Sequence, residues 1–175
     1  MLKDAAAELG IRLNNLQIKK FETYSTELRE WNKKFNLTAI TDEKEIIIKH
    51  FLDSLTILTT VKLEGEKVID IGTGAGFPGI PLKIACPEID LTLLDSVQKK
   101  VIFLNHIINI LKLERVKVIC GRAEDIIRYY RESFDVATSR AVAALPTLLE
   151  YCLPFVKVHG IFIAMKEEKI ENEVE

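Results

Sequence analysis

Asp70 stands just ahead of a glycine-rich run, Gly72-Thr73-Gly74-Ala75-Gly76, and another glycine follows at Gly79. Glycines at alternate positions let a backbone turn tightly and approach a ligand, and a helix opening near Gly79 offers free N–H groups to it. The chemistry this suits is the holding of a nucleotide-like cofactor. Gly74, Gly76 and Gly79 also satisfy the dinucleotide fingerprint G-x-G-x-x-G, with Asp95 about 20 residues on, where a ribose-binding acid belongs. The spacing alone therefore leaves a nicotinamide dinucleotide open. Asp70 tips the balance, because a carboxylate in front of the loop favours a cationic cofactor and repels a pyrophosphate. In either case Asp95 is the expected acceptor for ribose hydroxyls, and it shares with Ser96 the job of capping a helix that starts at Gln98.

No metal is expected. Cys86, Cys120 and Cys152 are far apart, lie in apolar contexts and have no Cys/His spacing suited to zinc, so they read as buried structural thiols. No residue stands out as a catalytic acid or base. His106 falls in an amphipathic helix and His159 in a loop before the last strand, and both read as structural or solvated.

A cofactor loop of this kind needs a strand before it and a helix after it. Short apolar runs at 67–71, 90–94, 116–120, 134–139 and 160–165 read as strands. Helical segments at 79–85, 98–111, 123–130 and 145–155 alternate with them. Such alternation predicts an α/β fold, a parallel sheet with right-handed crossovers and helices on both faces. Ahead of it, Phe21, Tyr24, Leu28, Trp31 and Phe35 recur at steps of three and four, predicting a helix capped at Asn14 or Asn15 and ending near Asn36. Asp42 and Glu45 form a capping-box pattern before a second helical stretch through Leu52, Leu55 and Leu58. The expected organisation is an N-terminal helical lobe over residues 1–64 and a Rossmann-like domain over 65–175. The segment Val101–Leu111 carries two apolar stripes, the second ending at Ile110, so it is expected to be covered on two sides, with the lobe as cover.

With 48% hydrophobic and 29% charged residues the chain reads as a folded globular protein, and no apolar stretch approaches the roughly 18 residues of a membrane span. The expected location is cytoplasmic. The net charge of −2 argues against a general nucleic-acid binder, yet the last ten residues hold five glutamates and two lysines, so the rest is near neutral. Any polyanion site must come from local clustering.

Several segments together resemble one family. They are Phe35-Asn36-Leu37-Thr38, His50-Phe51-Leu52-Asp53-Ser54, Gly76-Phe77-Pro78-Gly79-Ile80-Pro81, Leu94-Asp95-Ser96, Gly121-Arg122-Ala123-Glu124 and Ser139-Arg140-Ala141-Val142-Ala143. The Asp-x-Gly-x-Gly-x-Gly run resembles the first motif of class I methyltransferases, and the whole set resembles the bacterial ribosomal small-subunit methyltransferase G family. The resemblance implies transfer of a methyl group from S-adenosylmethionine to N7 of a guanine in 16S ribosomal RNA. It puts Gly72, Phe77, Ala123, Glu124 and Arg140 at the cofactor site, beside Asp70, Gly74, Gly76, Asp95 and Ser96 from the loop reading. Guanine N7 has a free lone pair and needs no proton removed, so positioning and desolvation can supply much of the catalysis.

The RNA, or the small ribosomal subunit, is expected to meet Lys33, Lys34, Lys49, His50, Lys99, Lys100, Arg122, Arg140 and Lys166, several of them at strand ends or helix starts. Arg140 follows a strand that reads as buried, and so calls for a carboxylate, cofactor or phosphate partner. The class I pattern expects a helix and further strands after the fifth, and Glu167 stands where the family usually has glycine, so the C-terminal strands are expected to be absent. A monomer is expected. Two alternatives stay open: a nicotinamide-dependent oxidoreductase using the same loop, and a non-catalytic RNA-binding module.

Overall fold

The computed structural model describes residues 1–140 and 145–165. Lys166, the charged tail and Ala141-Val142-Ala143 lie outside the described residues. The chain opens with α1 (Leu2–Glu8) and α2 (Asn15–Phe35). Asn14 caps α2: its side chain accepts from Gln17 N at 2.9 Å while Gln17 Oε1 accepts from Asn14 N at 2.8 Å, a reciprocal capping box. Asn36 ends it in the left-handed conformation at φ 47°. The stripe read from the sequence buries Phe21, Tyr24 and Leu28 and leaves Trp31 and Phe35 half-buried.

The second helical stretch begins at α3 (Glu43–Glu45), where Asp42 Oδ1 accepts from Glu45 N at 3.0 Å. It then widens into a π-helical segment, Ile46–Leu52, before α4 (Asp53–Leu55) and a 3-10 turn, Thr56–Thr59. Ile46, Ile47 and Ile48 open the π segment. Its inward side carries Ile46, His50 and Phe51.

The sheet consists of β1 (Lys67–Ile71), β2 (Asp90–Asp95), β3 (Val116–Cys120), β4 (Phe134–Arg140) and β5 (Val156–Met165). All four pairings are parallel, in the order β3-β2-β1-β4-β5. The order reverses between β1 and β4, which makes their C-terminal ends the place where an open α/β sheet leaves a crevice. Strand side chains alternate between two cores. Val68, Leu91, Leu93 and Val136 pack on one side with the lobe, α5 (Gly79–Ala85) and α6 (Gln98–Ile110). Ile69, Ile71, Leu94 and Ala137 pack on the other with α7 (Ala123–Tyr130) and α8 (Leu145–Cys152). The first core runs without a break from Leu2 and Phe21 to Ile107, so lobe and sheet share it. Phe21 and Phe51 are wholly buried there, each worth about 1.5–3 kcal/mol.

Three expectations are corrected. β5 starts at Val156 rather than Gly160, because its pairing with β4 jumps from Phe134↔Val156 to Val136↔Ile161. His159 therefore lies within the strand, in the irregular segment, at φ 68°. Of the thiols only Cys152 is fully buried, its pKa pushed up to about 12 by burial, while Cys120, at the end of the outer strand β3, is exposed. Ile110 is 43% exposed, so the lobe covers the Phe103 and Ile107 side of α6 but stops short of its last turn.

Candidate functional site

Backbone bonds fold the glycine run onto the neighbouring strand. Gly72 N and Thr73 N both donate to Leu94 O, at 2.8 and 3.1 Å, and Gly72, Gly74 and Gly76 take φ of 68°, 62° and 102°. Only glycine enters that region freely. A Cβ on Gly76 would lie 2.5 Å from Ile80 Cδ1 and 2.7 Å from the Tyr24 hydroxyl, whereas a Cβ on Gly74 would meet nothing within 4 Å. Gly76 thus packs inward, whereas Gly74 leaves room beside the loop among the described residues.

Asp70 lies under this loop. Its Oδ2 accepts from the Thr73 hydroxyl at 2.5 Å and from Gly79 N, at the start of α5, at 2.8 Å. Its Oδ1 is buried without a hydrogen-bond partner among the described residues. Burial lifts its pKa to about 6, against the Thr73 and Gly79 bonds and the charge of Arg140, which pull it down. Asp70 therefore shapes the loop and lends the crevice a charge from beneath, rather than offering its carboxylate at the surface.

Asp95 ends β2 at 4% exposure. Its Oδ2 accepts from Gly74 N at 2.8 Å, its Oδ1 accepts from Val97 N at 2.9 Å, and Lys100 Nζ stands 3.5 Å from Oδ2. Asp95 thus fastens the loop and holds the turn before α6 through Val97 N, but α6 itself has Val97 as its N-cap, without a side-chain cap, and the carboxylate keeps lone pairs for further donors. Ser96 beside it is exposed. From β3, Gly121 N donates to Asp95 O at 3.1 Å, and Arg122 serves as N-cap of α7. Ala123 is half-buried and Glu124 exposed, and the Glu124 charge raises the pKa of the Tyr151 hydroxyl. The ends of β1, β2, β3 and β4 thus bring together the loop, Asp95-Ser96, Gly121–Glu124 and Arg140 on one rim.

Arg140 has found its partners on the lobe. Its Nη1 donates to Lys49 O at 3.1 Å and to Asp53 Oδ2 at 3.2 Å, and its Nη2 lies 3.0 Å from His50 Nδ1. The guanidinium sits 5.0 Å from the centre of the Phe77 ring, and His50 stacks on that ring at 4.3 Å. An arginine can only donate, so Nδ1 of His50 accepts, and the ring carries its proton on Nε2, which donates to Thr38 Oγ1 at 2.9 Å. Burial and the Arg140 charge hold the His50 pKa down to about 4. His50 is 8% exposed and both nitrogens are engaged, so it does not face an RNA surface as the sequence reading expected. Phe77 is likewise buried, stacked between His50 and Tyr24.

The remaining cations divide into two groups. Lys99 is exposed at the start of α6 beside Lys100, and Arg122 is exposed on the same rim. Lys33 pairs with Glu30 at 2.7 Å and Lys49 with Glu45 at 2.5 Å on the lobe surface, and Lys34 is exposed next to Lys33. Sequence reasoning missed Tyr24 and Thr73 as site residues. The Tyr24 hydroxyl donates to Ala75 O at 2.5 Å, fixing the loop from the lobe. A phenol on an otherwise apolar stripe was the available signal, since a buried hydroxyl needs a partner. It also missed Lys83, whose buried ammonium donates to Pro87 O and Ile89 O and closes the turn into β2.

The family described as rRNA small subunit methyltransferase G matches residues 17–175. A protein named ribosomal RNA small subunit methyltransferase G from Caldanaerobacter subterraneus subsp. tengcongensis is 56% identical over 98% of this chain and 73% of its own length. One of the same name from Acetivibrio thermocellus is 51% identical over 98% and 73%. Among solved structures, a putative S-adenosyl-L-methionine-dependent methyltransferase from Methanococcus maripaludis superposes with TM-score 0.61 at 18% identity, over 81% of this chain and 62% of that one. An S-adenosyl-L-methionine-dependent methyltransferase from Thiobacillus denitrificans, solved with S-adenosyl-L-homocysteine, gives TM-score 0.53 at 22% identity, over 64% and 46%. At these identities the structural likeness concerns the fold alone.

Proposed function

The chain belongs to the rRNA small subunit methyltransferase G family, and from that membership we propose that it transfers a methyl group from S-adenosylmethionine to N7 of a guanine in 16S ribosomal RNA. The observation that carries this reading is the rim itself, where a glycine loop with space at Gly74 is tied to the Asp95 carboxylate over a buried acid, Asp70.

These residues fit the cofactor. Asp70 keeps a carboxylate oxygen beneath the loop without a partner among the described residues, which suits a ligand with a positive charge. Asp95 retains lone pairs for ribose hydroxyls, and Ala123 and Glu124 stand where a third strand end meets the crevice. S-adenosylmethionine supplies an electrophilic methyl group when bound. This chain's part is to hold the guanine edge in line with it and to exclude water, since N7 attacks without losing a proton. Lys99, Lys100 and Arg122 border the crevice as candidates for RNA phosphate contacts, with Lys33, Lys34 and Lys49 further out on the lobe. His50 enters as a partner of Arg140 rather than of RNA.

A nicotinamide-dependent oxidoreductase is not favoured, because the chain's family is one of methyltransferases. Neither is a non-catalytic RNA module. Among the described residues no helix is long and apolar enough to cross a membrane. Within the same reading the chain works in the cytoplasm as a monomer, which sedimentation of the purified protein tests. The function is tested by incubating the protein with labelled cofactor and unmethylated small-subunit RNA or particles. Label in RNA supports the reading; label in neither substrate refutes it.

A further inference from the structure

The bonds around Arg140 continue into the lobe in a way that the cofactor site does not require. His50 Nε2–H donates to Thr38 Oγ1, which also accepts from Ile40 N at 3.1 Å. Thr38 N and O in turn pair with the Asn32 side chain, both at 2.9 Å. A relay therefore runs from the end of α2, through Asn32, Thr38 and His50, to Arg140 at the end of β4. His50 and Lys49, both bonded to Arg140, are in the π-helical segment, a local geometry found often at functional sites. Arg140 sits at the switch point between β1 and β4 and lies over Phe77, the residue that ends the glycine loop.

We propose that His50, as a neutral ring protonated on Nε2, is the positioning residue for Arg140, fixing its guanidinium against Phe77 so that methyl transfer depends on a side chain that touches neither cofactor nor RNA. Of the three lobe acceptors, only the imidazole holds Nη2. Lys49 O and Asp53 both take Nη1, which leaves the guanidinium plane free to swing about that end. Removing the imidazole acceptor should therefore leave Arg140 on the lobe but without a fixed plane. Asparagine at position 50 offers a carbonyl oxygen near Nδ1 and should restore it.

The kinetic part of this inference rests on the methyl-transfer reading, so its test has a second readout that does not. In the first, nitrogen NMR of the unaltered protein should show Nδ1 of His50 unprotonated, and a separate, slowly exchanging set of Arg140 Nη–H signals. That set should vanish in His50→Ala and return in His50→Asn, with thermal unfolding reported alongside. Nδ1 carrying the proton, or Arg140 signals unchanged in His50→Ala, overturns the proposal whatever the activity. In the second, His50→Ala should lower kcat about tenfold with cofactor affinity within about twofold, and His50→Asn should recover most of it. His50→Ala combined with Arg140→Ala should lose no more than Arg140→Ala alone. Additive losses overturn the proposal. Absence of transfer by the unaltered protein refutes the methyl-transfer reading, and the NMR result then still decides whether His50 positions Arg140.

Discussion

Gly74 donates its backbone N–H to the Asp95 carboxylate at 2.8 Å, so the loop after β1 and the end of β2 are one unit. Two residues 21 positions apart in the chain, each singled out for a ligand, are first of all partners of one another.

Replacing Asp95 with alanine removes this tie, the bond from Val97 N and the proposed ribose acceptor together. Cofactor affinity should fall by roughly ten- to hundredfold, in keeping with charge-assisted bonds worth about 1.5–3 kcal/mol. Calorimetry measures it, and affinity unchanged from the parent protein contradicts the assignment of Asp95.

The two inner glycines should separate stability from binding. Gly76→Ala forces a Cβ to 2.5 Å from Ile80 at φ 102°, and should cost about 2 kcal/mol or more in denaturant unfolding. Gly74→Ala, with open space at φ 62°, should cost only about 1 kcal/mol, yet obstruct close approach of a ligand. Equal stability losses in the two variants, or full binding by Gly74→Ala, would be the wrong result.

Tyr24→Phe leaves Ala75 O without its donor in a buried setting. A loss of about 1–2 kcal/mol is expected, together with weaker cofactor binding because the loop is loosened from the lobe. Unfolding curves and calorimetry on the same samples test both.

Asp70 and His50 should pull stability in opposite directions with pH. The Asp70 pKa is raised from 3.8 to about 6, so the folded state holds more protons in that window, and the stability Asp70 contributes is lost as pH rises through about 6. The His50 pKa is lowered from 6.5 to about 4, so the unfolded state holds more protons, and stability falls as pH drops from 6.5 towards 4. Asp70→Asn should leave a steeper decline on acidification, and His50→Asn a shallower one, by amounts on the order of 2–3 kcal/mol across the window. Affinity for the cationic cofactor should rise through about pH 6 in the parent protein and lose that step in Asp70→Asn.

Much of the scaffold was legible because each element carried its own signal. The strand bounds at Lys67–Ile71 and Val116–Cys120 followed from short apolar runs between turn residues, and a cap at Asn14 or Asn15 from their place ahead of an apolar stripe, with Asn14 the one that caps. The bulge at His159 was not legible, since its cause is pairing with β4 across the sheet. The glycine loop was visible as a motif, but its grip was not. Asp70 was expected to face the ligand and instead binds Thr73 and Gly79, a matter of side-chain direction that spacing leaves open. The need of Arg140 for a partner was plain, and Asp53 supplies the carboxylate. That His50, read as an RNA contact, is also its acceptor depends on how the π segment turns the ring inward, which no local pattern encodes.

The most direct measurement is the identity of the modified base. Small-subunit RNA from cells lacking the modification should be treated with the protein and S-adenosylmethionine, then reduced and exposed to aniline, which cleaves the chain at N7-methylguanine. A single new cleavage in 16S RNA, dependent on the cofactor and weakened in Asp95→Ala when the cofactor is held near the parent protein's Kd, is the result predicted. Methyl incorporation without cleavage, or incorporation at a base other than guanine, would contradict methyl transfer to guanine N7.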